Sequence, residues 1–591
     1  MSGDEASTEG STAAGAASAG GAGVSAGVDI VLLWHMHQPD YRDPATGQFR
    51  LPWVLLHAIK DYADMAAHLE AQPGMRAVVN FVPVLLDQID DYAGQFATGV
   101  FRDPLLVALA RPAGRALDDG ERAFLLAQGF AANHERMIAP FPAYLRLKEI
   151  GHFARDADAA RYFNDAFLDD LLVWYLLAWT GETVRRASPL LQALMAKASS
   201  FTADDRHALL QAIGGVVTGL VGRYRTLQEA GTIELSTSPA QHPIGPLLLD
   251  LACAREARPQ LPLPRRDAYP DGARRLAVQV DDARADHLRR FGRAPDGLWP
   301  PEGAVSDAFV QAIAGAGFSW CASGSQVLDN SLARAGLDVP AAARLRGWRV
   351  PFAPRLCAFF RDDRLSDLIG FEYRRWHGSD AVQHFVGELE ALAAPGSARR
   401  PLVTIIVDGE NAWEYYPYNG YWFLSELYER LAAHPSIRPR TFRDVVAEYD
   451  AAARDEGADP AGELPSLVAG SWVHGDLATW IGHADKNRAW ELLVDAKRAC
   501  DEAVAAGTVD AAGRAALSRQ LAMCESSDWF WWFGDYNPAD AVTQFDRLFR
   551  RQLANLYHLV GEAAPAALDR PISVGHGAPE HGGVMRRADA G

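Results

Sequence analysis

A series of short apolar runs, each breaking off into a polar or aromatic loop, constrains this chain more than any other feature. VDIVLL (28–33) leads into WHMHQP (34–39), and AVVNFVPVLL (77–86), TIELST (232–237), GLWPP (297–301), FSWCAS (318–323), AFFRD (358–362) and LVTIIVDGEN (402–411) follow. Their length, β-branched content and turn boundaries read as buried strands running into loops. LPWVLLHAIKDYADMAAHLE (51–70), DGARRLAVQVDDARADHLRRF (271–291) and DAVQHFVGELEALAA (380–394) carry apolar residues at three- and four-residue steps and read as the helices between them. Strand and helix alternating in this way predict an α/β fold with a parallel barrel. Two Ala/Leu-rich helical stretches, from about 103 to 164 and 168 to 229, interrupt the alternation as a helical insertion. Beyond 450 a polar linker, ARDEGADPAGELP (453–465), leads into helix upon helix. The expected organisation is a tail over 1–27, a barrel with its insertion over 28–450, a C-terminal α-helical domain over 451–562 and a flexible tail over 563–591.

Charge and composition narrow the partners. A formal charge of −18 opposes nucleic acid, whose phosphates demand clustered Lys and Arg. The five cysteines are scattered, with no C-x-x-C, so no disulfide framework or cysteine zinc site is expected. The first 27 residues are acidic and Gly/Ala/Ser-rich, without the basic and apolar regions of a signal peptide, and no run of 18 apolar residues occurs. A cytoplasmic setting without membrane partners is therefore expected. The supply of 16 Trp, 17 Tyr and 25 Phe is generous and fits a cleft lined with rings.

In a parallel barrel the reactive groups stand on loops after the strands' C-terminal ends. Glu302 follows Trp299-Pro-Pro and precedes Gly303, which stiffens its backbone on one side and frees it on the other; the alternative is a solvated loop glutamate. Asp408 ends an apolar strand, with Glu410 two residues on and Trp413, Tyr415 and Tyr416 close behind. Apolar surroundings raise a carboxyl pKa, as a general acid requires, whereas the alternative is a helix N-cap. Two carboxyl groups on separate strand ends beside aromatic rings, without a cofactor fingerprint, suit glycoside hydrolysis. His35 and His37 allow three readings: metal ligands of a barrel deacetylase or amidohydrolase, with His242 joining; hydrogen-bonded core histidines; or donors to sugar hydroxyls.

Taken together, HMHQP (35–39), GTIELSTSPAQHPIGPLL (231–248), GLWPPEGAVS (297–306), VDGENAWEYY (407–416) and GSWVHGDLATWIG (470–482) resemble, in order, the five signature regions of glycoside hydrolase family 57. PWVLLHAIKDYADM, FFRDDRLSDLIGFEY and CESSDWFWWFGD extend the resemblance over roughly 28–560. It implies an incomplete (β/α)7 TIM-like barrel with C-terminal helices closing the cleft, acting on α-glucans without a metal or other cofactor. By position Glu302 would be the nucleophile and Asp408 the general acid and base. His37, Glu234, Glu410 and Asp476 match positions that contact sugar, with His35, Trp299, Trp413, Trp480 and Asp528 as further cleft residues. The wording is nearest to the α-amylase and amylopullulanase branch, which implies retaining cleavage of α-1,4, or also α-1,6, bonds of glycogen, starch or maltodextrin. A 4-α-glucanotransferase or branching enzyme is the alternative within the family.

Overall fold

The computed structural model describes residues 27–152, 161–393, 399–455, 457 and 459–577. The N-terminal tail expected over 1–27 lies outside these residues except for Gly27, as does 578–591.

The strands are β1 (Val28–Met36), β2 (Ala77–Phe81), β3 (Ile233–Thr237), β4 (Gly297–Leu298), β5 (Trp320–Ser323), β6 (Trp348–Val350), β7 (Ala353–Phe360), β8 (Leu402–Asp408), β9 (Ile437–Arg440) and β10 (Gly462–Glu463). The sequence β8–β1–β2–β3–β4–β5–β7 is parallel throughout. Past the end of β7, the Asp362 amide donates to the Thr404 carbonyl of β8 at 2.7 Å, bringing the two edges of this seven-strand sheet together. The closure is narrow because β6, antiparallel to β7 and followed by β10, occupies the rest of β7's edge. An incomplete (β/α)7 barrel results.

The two faces of β1 show how the sequence closes it. Ile30, Leu32, Trp34 and Met36 join the large cluster beneath the helices, while Val31 and Leu33 meet Val78, Ile406 and Phe359 inside the barrel. Burial on both faces is why the strand is a continuous apolar run instead of an alternating one. Phe442, Val445 and Val446 enter the same interior cluster from the start of the helix Phe442–Asp455. That helix spans the boundary expected at 450, and the expected linker contributes β10 to the sheet.

Proline accounts for one further departure. The run AVVNFVPVLL is strand only to Phe81, because Pro83 opens the helix Pro83–Thr98 at a position where its missing N–H costs nothing. The insertion between β2 and β3 runs from the helix Pro104–Leu109 to the long helix Ala203–Glu229 and includes Asp165–Trp179, which is apolar from Leu171 onwards. The C-terminal helices are Ala484–Ala505, Ala511–Cys524, Ser527–Trp532 and Ala539–Leu559. The loose tail expected from 563 is packed as far as 577: Leu568 and Ile572 are buried, and the Ile572 amide donates to Asp546 at 2.7 Å. Among the described residues no helix is long and apolar enough to cross a membrane.

Candidate active site

Strand register builds the floor of the site. His35 pairs with Asp408 across β1 and β8 and with Asn80 across β1 and β2, and Asn80 pairs with Ser236 of β3. Laterally paired residues of a parallel sheet project to the same face, so these four form one polar layer at the top of the barrel interior. One layer below lie Leu33, Val78, Ile406 and Glu234. Asn80 ties the upper layer together, its amide donating to Ser236 Oγ at 3.1 Å and its oxygen lying 2.7 Å from His35 Nδ1.

Three imidazoles stand on this floor. His35 Nε2 lies 3.1 Å from His242 Nε2, His242 Nδ1 lies 2.8 Å from Ser527 Oγ, and the rings of His37 and His242 stack with centroids 3.8 Å apart. Burial, reinforced by the neighbouring His37, pushes His35 down to about 3 and His242 well below the usual histidine range. Both are therefore neutral, and across their short contact one donates while the other accepts. His37 Nε2 lies 2.8 Å from Asp528 Oδ2, which also accepts from Ser526 Oγ at 2.6 Å. Burial opposes ionisation of Asp528, but His37 and Ser526 outweigh it and hold the carboxyl below its ordinary range. The ligand atoms of His37, His242 and Asp528 all lie within 4.8 Å of one another.

Above the floor is a cavity of about 240 Å3 reached by both expected catalytic carboxylates, Glu302 and Asp408, together with His35, His37, Glu410 and Asp528. Glu302 follows β4 through Pro300 and Pro301 and adopts φ +58°, the left-handed region that a residue with a Cβ enters at a cost of about 1–2 kcal/mol. The conformation is held from the loop opposite: the Trp472 amide donates to the Glu302 carbonyl at 3.1 Å and Trp472 Nε1 donates to Oε2 at 3.2 Å. Strain of this kind, fixed by its surroundings, is common where a side chain must be aimed at a reacting atom. Burial at the cleft floor pushes the Asp408 carboxyl up to about 6, against the opposing effect of Asn411, whose amide donates to Oδ2 at 2.9 Å. Glu410, buried and beside the negative charge of Asp408, is raised well above the ordinary carboxylate range. It accepts 3.2 Å hydrogen bonds from the His37 amide and from Gln38 Nε2. The site therefore offers a carboxyl that holds its proton towards neutrality and a second carboxylate across the same space.

Other expected cleft residues stand elsewhere. Glu234, expected to contact sugar, lies in the layer beneath the floor, where its carboxylate accepts from Trp320 Nε1 at 2.7 Å and from the Arg443 amide at 2.9 Å. It fastens the first turn of the helix Phe442–Asp455 into the barrel, and burial pushes its carboxyl up to about 7. Glu234→Gln is therefore expected to turn one acceptor into a donor facing a donor and to lower stability by about 1–3 kcal/mol, with kcat unchanged. Thermal melting and initial rates measured on the same preparation check this, and a fall in kcat without a fall in Tm would return Glu234 to the cleft. Asp476, also expected at sugar, accepts from the Ala478 amide at 2.8 Å and pairs with Arg258 at 3.3 Å, outside the cavity. Trp299 and Trp480 are buried behind the wall, Trp299 against His35 and Trp472 and Trp480 against Trp531. Trp413 packs on Trp34 and Tyr416 and lines a neighbouring cavity.

The remaining walls come from distant parts of the chain. Trp53 and Trp179 enter from the helices after β1 and from the insertion, Trp472 from the loop after β10, and Trp531, Trp532 and Phe545 from the C-terminal helices. Arg361 lies in the wall with its guanidinium over the Trp472 ring and bonded to Asp363 at 2.8 Å and Asp367 at 2.6 Å. FFRDDRLSDLIGFEY and CESSDWFWWFGD contain several of these residues, so the signal was present as aromatic density beside charge. Trp179 had none, since it closes an apolar helix in which every ring reads as core.

Comparison with known proteins agrees with this architecture. Three solved structures share it across nearly their whole length. A GH57-type branching enzyme from the hyperthermophilic archaeon Pyrococcus horikoshii is 16% identical, with a TM-score of 0.54 over 90% of this chain and 88% of its own. A GH57 branching enzyme from Thermococcus kodakaraensis is 15% identical, with a TM-score of 0.54 over 92% of this chain and 95% of its own. An α-amylase from Thermotoga maritima is 14% identical, with a TM-score of 0.53 over 92% and 96%. The family model for glycosyl hydrolase family 57 matches residues 31–455, which include most of β1, all of β2 to β9, Glu302 and Asp408. With the greater part of its length matched by that model, the chain belongs to glycosyl hydrolase family 57.

Proposed function

We propose that this protein hydrolyses α-1,4-glucosidic bonds of an α-glucan with retention of configuration, by double displacement at Glu302 and Asp408. The observation that carries the reading is the meeting of those two carboxyl groups in one ring-walled cavity, with Asp408 holding its proton up to about 6. Glu302 attacks the anomeric carbon while Asp408 protonates the departing glycosidic oxygen, leaving a glucosyl ester on Glu302. Asp408, now ionised, removes a proton from water, whose oxygen displaces Glu302 and regenerates both groups. Sugar rings present apolar C–H faces to Trp53, Trp179, Trp472 and Trp532, and hydroxyls to His37, Gln38, Asn411 and Glu410. The branching enzymes and the amylase that share the fold act within the same family, which supports an α-glucan as the substrate class.

The clustered ligand atoms of His37, His242 and Asp528 favour a second reading, metal-dependent hydrolysis. Against it, His35 and His242 spend facing nitrogens on each other and His37 Nε2 is engaged by Asp528. Incubation with maltoheptaose in the presence and absence of EDTA separates the readings. The expected result is shorter products only, at the same rate with chelator. Products longer than the substrate would replace hydrolysis by transfer to a sugar acceptor, and loss of activity with EDTA would establish the metal reading.

A further inference from the structure

The stretch from Asp408 to Trp422 passes along four cavities in succession. Asp408, Glu410, Asn411 and Glu414 line the catalytic cavity, and Glu414 also lines a second one, of about 510 Å3, beside Lys60 and the helical insertion. Tyr416, Pro417 and Tyr418 are shared between that cavity and a third of about 400 Å3, and Trp422 and Glu426 are shared between the third and a fourth. One short segment thus connects the catalytic carboxylates to the outer surface.

Where this path emerges, rings lie open to solvent. Tyr418 is 54% exposed, Trp422 52% and Trp376 41%, and all three border the third cavity. Single exposed apolar residues are ordinary, but three large rings around one groove form a patch of the kind that marks a binding surface. The groove's rim is polar: His377, Ser379 and Glu426, whose carboxylate accepts from Ser379 Oγ at 2.6 Å and pairs with Arg430 at 2.6 Å. With its one carboxylate already paired, such a rim suits hydroxyl groups, while indole and phenol faces suit the C–H faces of a pyranose.

Backbone geometry adds a separate observation. Tyr418, Asn419 and Gly420 have φ values of +53°, +54° and +73°, which costs Tyr418 about 1–2 kcal/mol and costs less for Asn419, whose short polar side chain tolerates this region. Asn419 is held there from beneath, its amide donating to Asp64 Oδ2 at 2.7 Å and its oxygen accepting from Lys60 Nζ at 3.2 Å. The result of this anchored strain is to turn the Tyr418 ring outwards beside Trp422. Trp422 is in turn fixed by the Arg186 guanidinium, 5.1 Å from its ring.

From these observations we infer that residues 408–422 form the floor of an extended track leaving the catalytic cavity, and that Trp376, Tyr418 and Trp422 form a second, surface site for a polymeric α-glucan. This rests on the α-glucan reading of the catalytic cavity and deepens it: the preferred substrate is a long chain held at a distance from the bond being cleaved.

The test uses the full chain carrying Trp376→Ala and Trp422→Ala, with melting curves confirming the fold. Affinity electrophoresis through a glycogen-containing gel is run in the Glu302→Gln background, so binding is read without turnover. The expected result is that Glu302→Gln alone is strongly retarded and the triple variant several-fold less, keeping only the hold of the cavity itself. In the active background, kcat/KM on amylose relative to that on maltotriose falls about tenfold, the effect of losing two ring contacts. Tyr418→Ala, which leaves both indoles in place, is expected to weaken retardation in part. Unchanged retardation together with an unchanged amylose-to-maltotriose ratio would overturn the surface site, and would leave the groove as a face for some other partner. A wild-type enzyme inactive on every α-glucan would instead sink the proposed reaction, an outcome distinguishable because retardation does not depend on turnover.

Discussion

Replacing Glu302 by Gln is expected to reduce turnover of maltoheptaose by more than about 10^4-fold while leaving the melting temperature within a degree or two of wild type. The large kinetic effect follows from chemistry, since an amide cannot supply the ionised oxygen that forms the glucosyl ester. The small stability effect follows from the surroundings. The backbone bond from Trp472 survives, and the amide oxygen of Gln still accepts from Trp472 Nε1. The left-handed conformation at 302 is unchanged, so the cost of holding it is the same in both proteins. Rates of reducing-end formation set beside a melting curve check both halves. Retained activity would remove Glu302 from the reaction, and a collapse of the fold would show that its carboxylate is structural.

Asp408→Asn is expected to lower kcat on maltoheptaose by about 10^2–10^4-fold, the usual contribution of a positioned acid, and to change the pH profile. In wild type, activity requires a protonated Asp408, so the alkaline limb should fall through a midpoint near 6, where burial places its pKa. In the variant that limb disappears. With α-maltosyl fluoride, whose leaving group needs no proton, formation of the glucosyl enzyme should proceed at close to the wild-type rate. Stability should move in the opposite direction. The carboxyl pKa rises from 3.8 in the unfolded chain to about 6 in the fold, so wild type loses stability as pH rises between these values. Above that window the ionised group is fully penalised, and below it there is no penalty. The amide that replaces the carboxyl carries no charge, so the variant should melt higher than wild type at pH 8 and at the same temperature at pH 3.5. Equal melting temperatures at both pH values would show that Asp408 is not desolvated.

Much of this site was legible in the sequence because strand ends announce themselves. His35, His37, Glu302, Asp408, Glu410 and Asp528 all reach the cavity at the top of the barrel, and five of these six follow directly on an apolar strand run. Register was not legible. Glu234 lies on a strand and faces inwards, as a polar residue among apolar ones suggests, yet only its pairing with Val78 shows that it is one layer too deep. The GSWVHGDLATWIG loop illustrates another limit: Asp476 and Trp480 were the conspicuous residues, whereas Trp472 makes the contact with Glu302. Its direction is set where His474 and Gly475 turn through φ +58° and +63°, a local conformation that residue types alone do not specify. Trp53 and Trp179 are brought to the wall by packing of the helical insertion, and long-range packing of apolar helices leaves no periodic mark that separates a cleft ring from a core ring.

The most direct test of the double displacement is to mix Asp408→Asn with α-maltosyl fluoride, quench, digest and locate any covalent adduct by mass spectrometry. Without Asp408 to activate water, the ester should accumulate, and the account predicts one maltosyl unit on the peptide that carries Glu302. A maltosyl unit on any other carboxylate, or release of β-maltose with no adduct, would contradict it.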